Sequence, residues 1–239
     1  MSNLAFECTD IMLDLETLGT GNNALILSIG AVWFNPYVRQ TAKEMLESNP
    51  LFFTAISIND SLFHNFDIDT STLDWWKSQS DKARDFVFYP HEDDVKNVAA
   101  ALDAFWMACC KTSDRETTKL WGNGVTFDNL ILQNYHTKMG REFPIHYKNW
   151  RCFRTLRSIF PSRYKTPSGV EVVDGPIPNS ASIPFDFREP SWDEEPGLIR
   201  HHALHDAASQ AAHVTKIMGH QLEHYVASEK SRAIESEVD

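Results

Sequence analysis

Apolar positions follow a strand rhythm near the start of the chain and a helical rhythm later on. Residues 10–16, DIMLDLE, read as a first strand, with Asp14 and Glu16 interrupting an apolar run. ALILSIGAVWF (24–34) follows the turn-prone GTGNN, which predicts a hairpin. LFFTAISI (51–58) is a third β-leaning run, and STLDWWKSQS within the mixed region 60–90 predicts a short capped helix. HEDDVKNVAAALDAFWMACCK (91–111) has helical periodicity, with acids near its start that suit a helix dipole. KLWGNG (119–124) reads as a short strand ending in glycine, and FDNLILQNYHTKMG (127–140) as a helix closed by Gly140. WRCFRTLRSIF (150–160) predicts another helix, and the Pro-, Gly- and Ser-rich residues 161–199 a long surface loop. A strong helix is expected over 203–226, broken near Gly219, before a polar, frayed end. A hairpin, a further strand and then helices alternating with strand predict one α/β domain over residues 1–226 and a polar tail over 227–239.

Composition adds constraints. The 239 residues, 42% hydrophobic and 12% aromatic, suffice for one sizeable core. No apolar run approaches the ~20 residues of a membrane span. MSNLAFECTD lacks the basic and apolar regions of a signal peptide. Cys8, Cys109, Cys110 and Cys152 form no C-x-x-C pair, so a reduced, cytoplasmic protein is expected. A formal net charge of −11 argues against coating nucleic acid by bulk charge, but it leaves room for an enzyme that grips one strand end locally.

The acids raise the chemical question. Side chains alternate faces along a strand, so Asp14 and Glu16 point the same way, and burial makes their repulsion costlier. Either they sit solvated at an exposed strand end, or a hard divalent cation such as Mg²⁺ or Mn²⁺ lies between them. The second reading needs further acids. Asp128 opens the helix after WGNGVTF, and Asp206 lies in HHALHDAASQAA. Each alone is ordinary, since an aspartate at a helix start is usually a cap.

In that order, the acid pair, the mid-chain aspartate and H-x-A-x-x-D resemble the DnaQ-like DEDD superfamily of 3′–5′ exonucleases, in its histidine-bearing branch. TLDWWKSQ, with Trp75 and Trp76, is similar to a segment of phage exodeoxyribonucleases of the DexA type. That group is related to the exonuclease domain of exodeoxyribonuclease VIII and to a bacterial exoribonuclease that trims adenylate tails. One departure is visible: many relatives have N-x-x-F-D, whereas this chain has Asn123-x-x-x-Phe127-Asp128.

The resemblance implies an RNase H-like fold, a mixed five-stranded sheet flanked by helices, in a phage-encoded protein of the bacterial cytoplasm. It implies two Mg²⁺ or Mn²⁺ ions on Asp14, Glu16, Asp128 and Asp206, with a histidine as general base. The substrate would be the 3′ end of nucleic acid, with single-stranded DNA favoured through the tryptophan segment. Helix geometry alone favours His202 as the base, because it is i,i+4 to Asp206; the resemblance selects His201. Both hold if His201 precedes a helix that starts near residue 202 or 203, leaving His202 and His205 solvated or supporting. Candidate substrate contacts are Thr17, Leu18, Trp75, Trp76 and Phe127. Residues 143–170 hold six basic side chains and no acid, and Arg151, Arg154 and Arg157 are spaced as one helical stripe that could meet phosphates. Competing readings are an exoribonuclease on the same fold, a zinc hydrolase using His201, His205 and Asp206, and a catalytically silent binding module.

Overall fold

The computed structural model describes residues 7–159, 162–165, 171–174 and 197–236. Strands β1 (Asp10–Thr17) and β2 (Ile26–Phe34) are buried throughout and form the expected antiparallel hairpin. Helix α1 (Ala42–Ser48) then leads to β3 (Leu51–Ile56), antiparallel to β2. Three short helices follow: α2 (Ile58–Phe63), α3 (Thr70–Lys77) and α4 (Asp81–Phe88). Next come β4 (Val95–Lys96), α5 (Val98–Thr112), β5 (Lys119–Gly122) and α6 (Asp128–Lys138). After these lie β6 (Trp150–Cys152), α7 (Phe153–Ile159), a small pair β7 (Ser162–Lys165) and β8 (Glu171–Asp174), and α8 (Ala203–Ser236). The main sheet is mixed, in the order β4-β3-β2-β1-β5-β6, so it has six strands where five were expected. The α/β, RNase H-like architecture is as expected.

Alternation along β1 divides the core. Ile11, Leu13 and Leu15 pack on one face with Leu102, Phe105, Leu132 and Tyr135 of α5 and α6. Met12 packs on the other with Ala207, Ala208 and Ala211 of α8. That second face also carries Asp14 and Glu16.

Several local expectations change. Residues 150–152 are strand, not helix, because they pair in parallel with β5. The acids at 92–94 form a separate 3₁₀ turn, and α5 is capped instead by Asn97, whose side chain accepts from Ala100 N. Asp69 precedes α3 without capping it; its carboxylate accepts from Thr20 N. Helix α8 passes unbroken through Gly219, which is packed closely against Arg39, and continues to Ser236. Residues 227–236 are therefore helical, not frayed. Within the region read as loop, β7 and β8 pair antiparallel, and most of the remainder lies outside the described residues.

Two glycines set the helices that matter. A Cβ on Gly30 would lie 2.2 Å from Ala203 C and Leu204 N, so α8 starts directly on β2. A Cβ on Gly122 would lie 2.2 Å from Asn129 Oδ1 and 3.1 Å from Asp128 Cβ, so α6 starts directly on β5. Gly30→Ala is expected to lower stability by at least the ~1–3 kcal/mol of an overpacked core, because the obstruction is backbone. Urea unfolding measures it; wild-type stability would show that α8 can retreat without loss.

Candidate active site

The last register pair between β1 and β5 is Leu13 with Gly122, so Asp14 to Thr17 run on beyond the end of the parallel neighbour. Ligand crevices form outside the carboxyl ends of parallel strands, where neighbouring connections diverge. Here an open cleft of about 460 Å³ is lined by Asp14, Glu16, Thr17, Trp75, His201 and Asp206, among others. Asp128 lies just beneath, buried, its Oδ1 accepting from Leu15 N at 3.3 Å. The structure thus gathers all four predicted acids and His201 from segments spread over most of the chain.

His201 lies outside α8, the condition under which the resemblance-based choice of His201 was expected to hold. Its φ of 61° is left-handed, which histidine tolerates better than most residues. Its N–H donates to Asp206 Oδ2 at 3.2 Å, and its Nδ1 is 3.9 Å from the same oxygen. Trp75 meets the imidazole edge to face at 4.9 Å. Burial, helped by nearby Arg200, lowers the His201 pKa and favours the neutral ring. Glu16, His201 and Asp206 each offer a ligand atom, and these lie within 4.8 Å of one another.

Like charges buried together resist ionisation. Burial pushes the Asp14 carboxyl up to about 7, and a hydrogen bond from Gln210 partly opposes this. Glu16 is held well above its ordinary range by burial, then by Asp14, Asp206 and Asp128. Asp128 is raised by burial and by Asp14. Its Oδ2 is buried with no hydrogen-bond partner among the described residues. Oxygen donors crowded with like charge, one of them orphaned, are the surroundings in which a hard divalent cation fits.

Gln210 escaped the sequence reading. Its Nε2 donates to Asp14 Oδ1 at 2.7 Å, fixing that carboxylate. The signal was present: Gln210 is four residues after Asp206 on α8 and shares its face.

Other candidates divide. Thr17 lines the cleft, its Oγ1 donating to Gly19 O, and Phe127 lines it too. Trp75 is 43% exposed, whereas Trp76 is buried and donates its indole N–H to Thr17 O, so Trp76 holds the strand end. Leu18 is a correction: its side chain lies in the core, only 2% exposed. The arginine stripe is another. Arg151 sits on β6 and donates to the carbonyls of Lys148 and Trp150; only Arg154 and Arg157 share α7. Arg154 reaches the site margin, donating to Asn123 O at 3.0 Å, while Arg157 lies over the Phe153 ring. His202 is not solvated; it is buried and stacked on Phe53 and His205. His205 accepts from Ile199 N and faces a different cavity from His201, which separates the three proposed zinc ligands. No helix among the described residues is long and apolar enough to cross a membrane.

Comparison with known proteins agrees with this geometry. A curated exodeoxyribonuclease of Enterobacteria phage T4 is 26% identical over 125 residues, which is 52% of this chain and 53% of the phage protein. The chain therefore spans about half the length of that relative. Residues 9–218 match the 3′–5′ exoribonuclease Rv2179c-like domain. Because that match covers most of the chain and includes every acid of the cleft, the glycines Gly30 and Gly122 and the start of α8, the chain belongs to this family of DnaQ-like 3′–5′ exonucleases.

Proposed function

We propose that this protein is a divalent-cation-dependent 3′–5′ exonuclease that releases nucleoside 5′-monophosphates, with DNA strands favoured. The observation that carries the reading is the convergence of Asp14, Glu16, Asp128, Asp206 and neutral His201 at one cleft. Asp14, Glu16, Asp128 and Asp206 would hold two Mg²⁺ or Mn²⁺ ions, which supply activation of water and neutralise charge on the leaving 3′ oxygen. His201, kept neutral by its surroundings, accepts the proton of the attacking water. Asp206 holds the backbone of His201 and thereby its ring. Glu16 lies beside the terminal 3′-hydroxyl. Thr17, Phe127 and the exposed Trp75 form the wall for the terminal nucleotide, and Trp75 offers a face for base stacking. Arg154, at the margin, meets a backbone phosphate.

The family description names an exoribonuclease, and this favours RNA as a second reading. One assay tests both. End-labelled single-stranded DNA and RNA, incubated with Mg²⁺, Mn²⁺ or EDTA, should give a ladder shortening from the 3′ end in either metal and none in EDTA. Internal cuts, or activity restored by zinc alone, would sink the reading. The faster ladder identifies the sugar preferred.

A further inference from the structure

A second cavity, of about 400 Å³, lies on the far side of the start of α8. Strand register fixes its place. Gly30 pairs with Asp14 on one side and Phe53 on the other, so the three share one face of the sheet. The first turn of α8 crosses this face over Gly30. His201 and Asp206 fall on the Asp14 side of that ridge, and His202 and His205 on the Phe53 side. Two strand spacings, about 10 Å, separate the backbones of Asp14 and Phe53.

The lining is aromatic with polar acceptors. The rings of Phe53, His202 and His205 form a continuous stack, with centroids 4.6 and 4.3 Å apart and planes inclined by only 23°. Phe86 closes on this stack edge to face at 5.2 Å and is itself 43% exposed. Tyr89, also among the lining residues, is 80% exposed and leaves its ring open to a ligand. Asp85 and Asp94 are the acidic residues among its lining. The catalytic cleft uses none of these residues.

We propose that this cavity is a nucleobase subsite, taking one base of the strand whose 3′ end lies at the acids. A base is flat, neutral and edged with N–H donors. Phe86, Tyr89 and His205 offer it ring faces, and Asp85 and Asp94 accept from its amino or imino edge. The carboxylates also repel phosphate, so the base enters while the backbone stays outside. Continuity supports this occupant: consecutive residues, His201 and His202, line the two cavities.

The proposal rests on the nuclease reading, and the test separates the two. Single-stranded oligonucleotides carrying one abasic position, moved stepwise from the 3′ end, are compared by the kcat/KM of the first cut. The comparison uses the wild type and a Phe86→Ala, Tyr89→Ala double variant. Stacking on aromatic side chains predicts a roughly 5- to 150-fold loss in the double variant on intact strands. The same loss should follow in the wild type from one abasic position, with no further loss when the two are combined. Phe86→Tyr with Tyr89→Phe, which keeps both rings, should restore the rate. Equal loss at every abasic position, or no coupling at any, overturns the subsite while the nuclease reading stands. A wild type that degrades no strand overturns both.

Discussion

Asp14→Asn is expected to abolish turnover while leaving the fold and strand binding in place. Asp14 acts on two other acids of the cluster. It raises the pKa of both Glu16 and Asp128, so each senses its charge directly. It is also fixed by Gln210 from α8. Asparagine keeps the size and can still accept the Gln210 hydrogen bond, but it removes one of the charges that would hold a cation. The same change relieves repulsion when no cation is bound. The variant should therefore melt at a higher temperature than wild type in EDTA and gain less from added Mg²⁺ or Mn²⁺. Paired melting curves and product ladders check both halves. Wild-type turnover in a folded variant would remove Asp14 from the mechanism. An unchanged cation-induced shift would remove it from the ligand set.

His201→Ala is expected to slow catalysis by roughly the 10²–10⁴-fold typical of a lost general base. The acids remain, so the cation-induced rise in melting temperature should survive. The neighbouring histidines provide the control. His202 is buried in the Phe53 stack, and His205 is tied to Ile199 N, so neither faces the cleft. His202→Ala should cost stability first, by leaving a void among aromatic rings. His205→Ala should keep the acidic limb of the pH–rate profile, which His201→Ala loses because protonation of the base no longer controls the rate. If His202→Ala shows the large rate loss with its fold intact while His201→Ala does not, the base has been misassigned.

The sequence made the centre of the site legible because its signals are short in range. Two acids two residues apart on a strand must share a face; His201 is reached differently, since helical spacing alone favours His202 and the resemblance carried by H-x-A-x-x-D selects His201 and with it a helix starting after it. What it hid depends on partners far along the chain. Residues 150–152 continue the helical spacing of residues 153–159, yet β5 draws them into the sheet, and the arginine stripe breaks with them. Leu18 follows β1 in sequence, but the chain turns it inward, its N–H bonded to Leu25 O. Gly30 and Gly122 look ordinary until α8 and α6 are seated on them, because the need for a missing Cβ is set by backbone more than 170 residues away in one case. Gly219, a helix breaker by propensity, is tolerated within α8 because Arg39 packs against it.

The seat of α8 on Gly30 also imposes an order in time. Synthesis delivers β1, β2 and Asp128 well before His201 and Asp206 leave the ribosome. Until α8 docks, the emerging chain holds three acids and has neither the fourth nor the histidine. The acid set of the cleft is thus completed only when α8 packs over Gly30, so the same contact that seats the helix also assembles the site.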